Sequence, residues 1–502
     1  MKIEQLLAHH GIARNPFAEE DAQTDPIFKD HCIASTYHPT WDKVYGDPKE
    51  PSTSVVFGEK GAGKTAMRLQ IARHLTEFNR ANPSQRVFVI EYDDFNPYLD
   101  RFRDRLFSRR RRADKVLSQW KLWDHMDAIL MLGVTSLVDH ILEVRHPAGS
   151  PGIEIDQSKI DELDHHQARD LLVLAASYDQ STAETYTGRW HRLRKRLKFF
   201  SLSAYWQLAV GCTGTLLVLT LAILLTIYTA TDWIPYLLWL YLVLAIGVWS
   251  PWIWKFFKNL GRARGIVKHV RVGNHETMQV RKVLTHFAES EIAGQPLPNK
   301  DRTDDRYELM AKFQAILKSL GYSGLFVLVD RVDEPHMING SAELMRALIW
   351  SMLDNKFLKQ SGVGLKMLLP VELSEFVERE GREFYERARL DKQNLIPSLN
   401  WTGEALFDVA NARIKACAVD GESPTLRSLF DESISDQRLL DALRELRVPR
   451  HLFKFMYRLL VAHCNAFTED NPVWRISNEL FESNLAIYRR EQDAMNRGVG
   501  TA

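Results

Sequence analysis

The run Gly58-Glu59-Lys60-Gly61-Ala62-Gly63-Lys64-Thr65 fits G-x-x-x-x-G-K-[ST], a phosphate-binding loop, and it constrains the fold more than any other stretch. Its flanks agree with that reading. Thr53 to Phe57 predicts a short buried strand. Ala66 to Phe78 predicts a helix, with Met67, Leu69, Ile71, Ala72 and Leu75 as its apolar stripe. In a strand–loop–helix unit the glycines let the backbone curl until its N–H groups face phosphate oxygens. The helix N-terminus, at Thr65-Ala66, adds about half a positive charge. Lys64 is then expected to reach the outer phosphates and Thr65 to ligate Mg²⁺. The bland alternative is a glycine-rich turn that holds nothing.

Such a loop needs a carboxylate from a neighbouring strand if the bound cation is to be held. Gly324 to Val329 is an apolar run that closes on Asp330. Asp330 is the expected Mg²⁺ partner, through water. Asp333 and Glu334 follow within one turn. Either would orient or deprotonate an attacking water, and the longer reach of Glu334 favours it.

Between loop and acid lies the second strong feature. Ala204–Ala230 and Trp233–Trp254 are apolar segments, and Asp232 is the only acidic or basic side chain between Ser201 and Trp254. Each exceeds the ~20 apolar residues that cross a bilayer as a helix. The Leu, Ile and Val residues of the first segment favour insertion by about 5 kcal/mol before polar costs. Basic residues flank both ends: Arg189, Arg192, Arg194, Lys195, Arg196 and Lys198 before, and Lys255, Lys258, Arg262, Arg264 and Lys268 after. The expectation is a two-helix hairpin with both chain termini on the cytoplasmic side. With no charge at mid-depth it reads as an anchor. Oligomers of it that line a pore stay open as an alternative.

A P-loop, then membrane helices, then an acid-rich strand end (Val327-Leu328-Val329-Asp330-Arg331-Val332-Asp333-Glu334) resembles the KAP family of membrane-associated NTPases, grouped with STAND and AAA+-like ATPases. Arg331 departs from the pattern, where a second acid or a small residue often sits. The resemblance implies an α/β P-loop NTPase core with a C-terminal helical lid. It implies ATP and Mg²⁺ as ligands and nucleotide-driven association of copies. It also implies a sensor strand, here 364–371 with Glu372 or Ser374 at its tip, and an arginine finger at the end of the following helix, with Arg387 and Arg389 as candidates. A bland reading, in which these arginines only balance a helix dipole, is favoured over the finger. In the lid, Arg450 follows Pro449 at the start of a late helix and is the candidate nucleotide sensor.

The resulting layout is a lead-in (1–50), the first part of the core (51–100), a helical insertion (101–200), the hairpin (201–257), a helical linker (258–303), the second part of the core (304–400), the lid (401–496) and a disordered tail (497–502). Helices are expected over 113–144, 155–177, 342–358 and 375–389. Arg101 to Lys115 is dense in arginine and suits anionic lipid, or a merely solvated surface near the anchor, better than nucleic acid. The balance of 65 basic and 64 acidic residues also argues against a phosphate-coating protein. The four cysteines are widely spaced and read as free thiols. Met1 to Phe17 holds no apolar run of leader length. His165-His166 is a poor chelate, because neighbouring residues face different sides of a helix.

The expected activity is ATP binding and slow Mg²⁺-dependent hydrolysis at a membrane, used as a conformational or oligomerisation switch toward an unknown protein partner. ATP is preferred because no GTPase-type base-reading motif is evident. The rivals are a nucleotide-holding scaffold and a nucleotide-gated membrane effector.

Overall fold

The computed structural model describes residues 1–144, 155–180, 184–228, 234–380, 384, 388–390 and 393–496. Arg387, Asp232 where the hairpin is expected to turn, and residues 497–502 lie outside the described residues.

Five strands, β1 (Ser54–Gly58), β2 (Arg86–Tyr92), β3 (Tyr322–Val329), β4 (Val363–Pro370) and β5 (Asn394–Ile396), form a parallel sheet in the order β2-β3-β4-β1-β5. Together with its many helices this is a mixed α/β fold, compatible with a Rossmann or P-loop type of core. The strands read as near-continuous apolar runs because both faces of a parallel sheet are covered. β1 is an interior strand, paired in parallel with β4 (Val56 opposite Leu368) and with β5 (Val56 opposite Ile396). β2 is a mostly buried, largely apolar run, and β5 is short, ending at Ile396.

The chain divides into two compact units. The first comprises Met1–Ala81, Phe326–Ile349 and Leu353–Ala502. Here Lys64–Ala81 is the helix after the glycine loop. The helices Gly403–Ala416, Asp436–Leu446 and Pro449–Ala466 bury Leu406, Leu443, Phe455 and Leu459 in one core. Leu6, Leu7, Ile12 and Phe17 of the lead-in belong to that same core. The lead-in is therefore packed structure. The single helix expected over 342–358 is broken into Ala342–Ile349, a 3-10 turn Trp350–Met352 and Asn355–Leu358. The Asp354 side chain accepts from the Phe357 N–H at 3.2 Å, starting a new helix where the old one was expected to continue. The helix expected over 375–389 starts earlier and runs Glu372–Arg379.

The second unit, Asn82–Leu325 with Trp350–Met352, is mostly helical. The helix expected over 113–144 breaks at Trp120 and Lys121, giving Ala113–Gln119 and Leu122–Ile141. Asp124 explains the break: its carboxylate accepts from the Lys121 N–H at 2.8 Å and caps the second helix. At the unit's centre Arg306 and Asp127, both fully buried, pair at 3.0 Å, and Tyr178 donates to the same carboxylate at 2.8 Å. The arginine-rich stretch is only partly free. Arg105 donates to the Val267 and Gly273 carbonyls and Arg111 to the Leu106 and Asp104 carbonyls, whereas Arg109 and Arg110 are exposed.

Among the described residues one helical segment, Trp206–Leu224, is long and apolar enough to cross a membrane. The second expected limb falls in a 36-residue helix, Ile234–His269, which contains Pro251 and runs on well past the length of one bilayer crossing. The two limbs pack closely. A Cβ on Gly211 would lie 3.0 Å from the Trp249 ring, and the Trp249 indole donates to the Thr215 hydroxyl at 2.9 Å. The absence of a side chain at Gly211 is what lets the two helices approach this closely.

Candidate functional site

The site is built at the C-terminal end of β1, entirely within the first unit. Gly61 and Gly63 take φ of +91° and +93°, which side-chain-bearing residues rarely adopt. The loop between them and β1 curls back on itself. The Lys64 ammonium donates to the Gly58 carbonyl at 2.8 Å and to the Glu59 carbonyl at 3.0 Å. The Ala62 N–H donates to the Glu59 carbonyl at 3.1 Å. The loop's far side is anchored by Trp401, whose indole donates to the Ala62 carbonyl at 2.9 Å. Lys60 is exposed.

β3 delivers Asp330 to the first turn of the loop helix. Asp330 is buried and accepts from the Thr65 hydroxyl and from the Arg331 N–H. Burial pushes its carboxyl above the usual range, while Arg68, those two hydrogen bonds and Lys64 oppose the shift. Burial likewise lowers Lys64, and the nearby carboxylates of Asp333, Asp330 and Glu372 offset part of that. Lys64, Thr65, Asp330 and Asp333 are therefore brought together, as their spacing in the chain alone does not require. Glu334 sits further out. Its side chain is 58% exposed and lies 3.6 Å from Arg331. Burial raises its carboxyl, Arg331 lowers it, and Asp333, Asp330 and Asp21 add to the rise.

One pocket is lined by Lys60 to Met67, by Asp330, Arg331, Asp333 and Glu334, and by Trp401 and Arg450. Arg450 does reach the loop. Its N–H lies 3.4 Å from the Gly61 carbonyl, and its guanidinium is 3.9 Å from Glu20. Arg389 has φ +52°, is exposed and is outside that lining. Ser374 donates to the Val371 carbonyl at 2.7 Å.

The donor set fits Mg²⁺. Thr65 and Asp330 offer a hydroxyl and a carboxylate side by side, and Mg²⁺ is bound by one or two such protein oxygens plus water and substrate phosphates. Among the described residues no group of three His, Cys, Asp or Glu side chains forms a metal cage. His165 instead lies 3.1 Å from Glu291.

Three contributors were not legible beforehand. Arg68 lies against Asp330. Trp401 holds the loop. The lead-in supplies Glu20 and Asp21 to the pocket. Only Arg68 had a signal, its position four residues after Lys64 on the same helix face.

Comparison with protein-family models, with curated proteins and with solved structures finds no match to this chain.

Proposed function

We propose that the chain is a membrane-anchored P-loop ATPase that binds and slowly hydrolyses ATP with Mg²⁺ as a switch at the cytoplasmic face. The observation that carries this reading is the convergence of Lys64, Thr65 and Asp330 beneath a loop whose glycines adopt the conformations phosphate binding needs. Lys64 would hold the outer phosphates. Thr65 and Asp330 would hold Mg²⁺, which would polarise the transferring phosphoryl group. Asp333 or Glu334 would orient the water, and Arg450 would report nucleotide to the helices that carry it. The proposed anchor is the hairpin of Ala204–Trp254. Supporting it, Leu216, Leu217, Ile223 and Trp254 are each more than half exposed, forming an apolar surface that water would not tolerate. Its basic flanks would hold both chain ends on the cytoplasmic side, against anionic lipid. Association of copies, with Arg387 or Arg389 acting on a neighbour's nucleotide, belongs to the same reading.

The test is ATP binding and phosphate release by detergent-solubilised protein beside Lys64→Ala and Asp330→Ala. Turnover in the parent and its loss in both variants is expected. Absence of binding in the parent would sink the nucleotide reading.

The pairing of Glu334 with Arg331 favours one second reading, a scaffold that holds nucleotide without turnover. Turnover unaffected by Glu334→Gln and Asp333→Asn, with binding retained, would support it.

A further inference from the structure

Arg68 stands one helical turn beyond Lys64 on the helix Lys64–Ala81, and its guanidinium Nε lies 3.4 Å from Asp330 Oδ2. Both residues are only 1% exposed. A carboxylate taken out of water costs several kcal/mol unless a partner compensates. At a Thr–Asp oxygen pair of this kind, a divalent cation is the group that would do so. Here the chain carries its own cation, and a guanidinium does not lose its proton in a protein. Arg68 reaches Asp330 from the helix side while the Thr65 hydroxyl and the Arg331 N–H hold the same carboxylate. Thr65 and the Arg331 N–H thus set the direction of the carboxylate, and Arg68 balances its charge as an ion pair at 3.4 Å that involves no hydrogen bond from its Nε.

We infer that Arg68 is a positioning residue that holds the Asp330 carboxylate against the Thr65 hydroxyl before any divalent cation arrives. The phosphate site is then assembled without Mg²⁺, and nucleotide binding depends little on the metal, which is left to serve turnover. This rests on the nucleotide reading above, so the test separates the two.

ADP binding is measured by titration calorimetry on the full-length, detergent-solubilised protein, once in EDTA and once in Mg²⁺. The parent should bind with affinities within about threefold of each other in the two buffers. Arg68→Gln should lose about tenfold or more in EDTA alone, because its Asp330 is then left buried and unpaired until Mg²⁺ binds. Arg68→Lys, which keeps the charge but not the planar fork, should recover part of the loss. Equal Mg²⁺ dependence in parent and Arg68→Gln overturns the inference. If no protein binds ADP in either buffer, the nucleotide reading has failed. The counter-ion role is then judged by thermal unfolding in EDTA of Arg68→Gln, Asp330→Asn and the double variant. A double variant less destabilised than the sum of the singles supports the pairing, and strict additivity refutes it.

Discussion

Arg450 stands on Gly61: its N–H is 3.4 Å from the Gly61 carbonyl, and a Cβ on Gly61 would come within 2.5 Å of the Arg450 Cβ. The first turn of the helix Pro449–Ala466 therefore rests directly on the glycine loop. Gly61 also has φ +91°, so alanine there is strained twice, by its backbone and by its neighbour. A residue forced into such a conformation costs about 1–3 kcal/mol. Gly61→Ala should lower the melting temperature by several degrees and weaken nucleotide binding by about tenfold or more, through displacement of the loop. Calorimetric titration beside a thermal melt checks this, and unchanged affinity would count against the contact.

The loop, the strand before it and the strand ending in Asp330 were legible because each is a local pattern: fixed glycines, or an apolar run closed by an acid. Which acid faces the lysine was not. Glu334 has the longer side chain, yet the turn after β3, with Arg331 at φ +59°, leaves it 58% exposed while Asp333 acts on Lys64. Arg68 stands four residues after Lys64, which puts it on the same helix face but names no partner for it. Only the arrival of β3 beside that helix gives it a partner. Helix ends were also hidden. The caps at Asp124 and Asp354 use ordinary acids that local hydropathy does not single out. Hydropathy predicted two apolar limbs, but it does not set where a helix stops, and the second limb continues to His269.

Trp401 links the sheet edge to the loop through one bond, from its indole to the Ala62 carbonyl at 2.9 Å. Trp401→Phe keeps a ring against His38, which it meets edge-on, and removes only the donor. A hydrogen bond of this kind contributes about 1 kcal/mol, so nucleotide affinity should fall about fivefold with little change in the fold. Trp401→Ala should lose more, since packing goes as well. Equal affinities for the parent and Trp401→Phe would mean that the loop holds its shape without the indole.

The centre of the second unit makes a prediction independent of nucleotide. Arg306 and Asp127 are both 0% exposed, and the guanidinium pairs with that carboxylate at 3.0 Å. Removing one partner strands the other charge, at a cost of about 3–5 kcal/mol. Arg306→Met should therefore unfold far more easily in denaturant than the parent, and the Arg306→Met, Asp127→Leu pair should regain part of the loss. A single variant as stable as the parent would contradict the pairing.

If Glu334 is the base, its raised carboxyl should appear in the pH dependence of turnover. A base must be ionised to act, so the rate falls as pH drops through its folded pKa, and burial places that fall at higher pH than an ordinary carboxyl would. Arg331 holds the value down, so Arg331→Met should move the acidic limb to higher pH still. Glu334→Gln should abolish the limb together with most of the rate. A limb that Arg331→Met leaves in place would shift the role to Asp333.

Lys366 offers a test of the core itself. It lies on β4 with no exposed surface, donates to the Val44 carbonyl at 2.7 Å and the Ser54 hydroxyl at 3.2 Å, and sits over the Phe326 ring. Burial lowers its pKa from the ordinary 10.5 to about 7. Between those two values the unfolded chain holds a proton that the folded chain has released. Stability therefore rises with pH across that window, by at most about 1.4 kcal/mol per pH unit. Below the window both states are charged, and the full cost of burying the ammonium is present. Above it both are neutral, and the cost is gone. Lys366→Met removes the titrating group and leaves the Val44 carbonyl without this donor, so its absolute stability is a poor measure. The slope is the clean one. Denaturant melts from neutral pH upward should steepen for the parent relative to Lys366→Met, and parallel curves would show that the two acceptors and the ring keep Lys366 charged throughout.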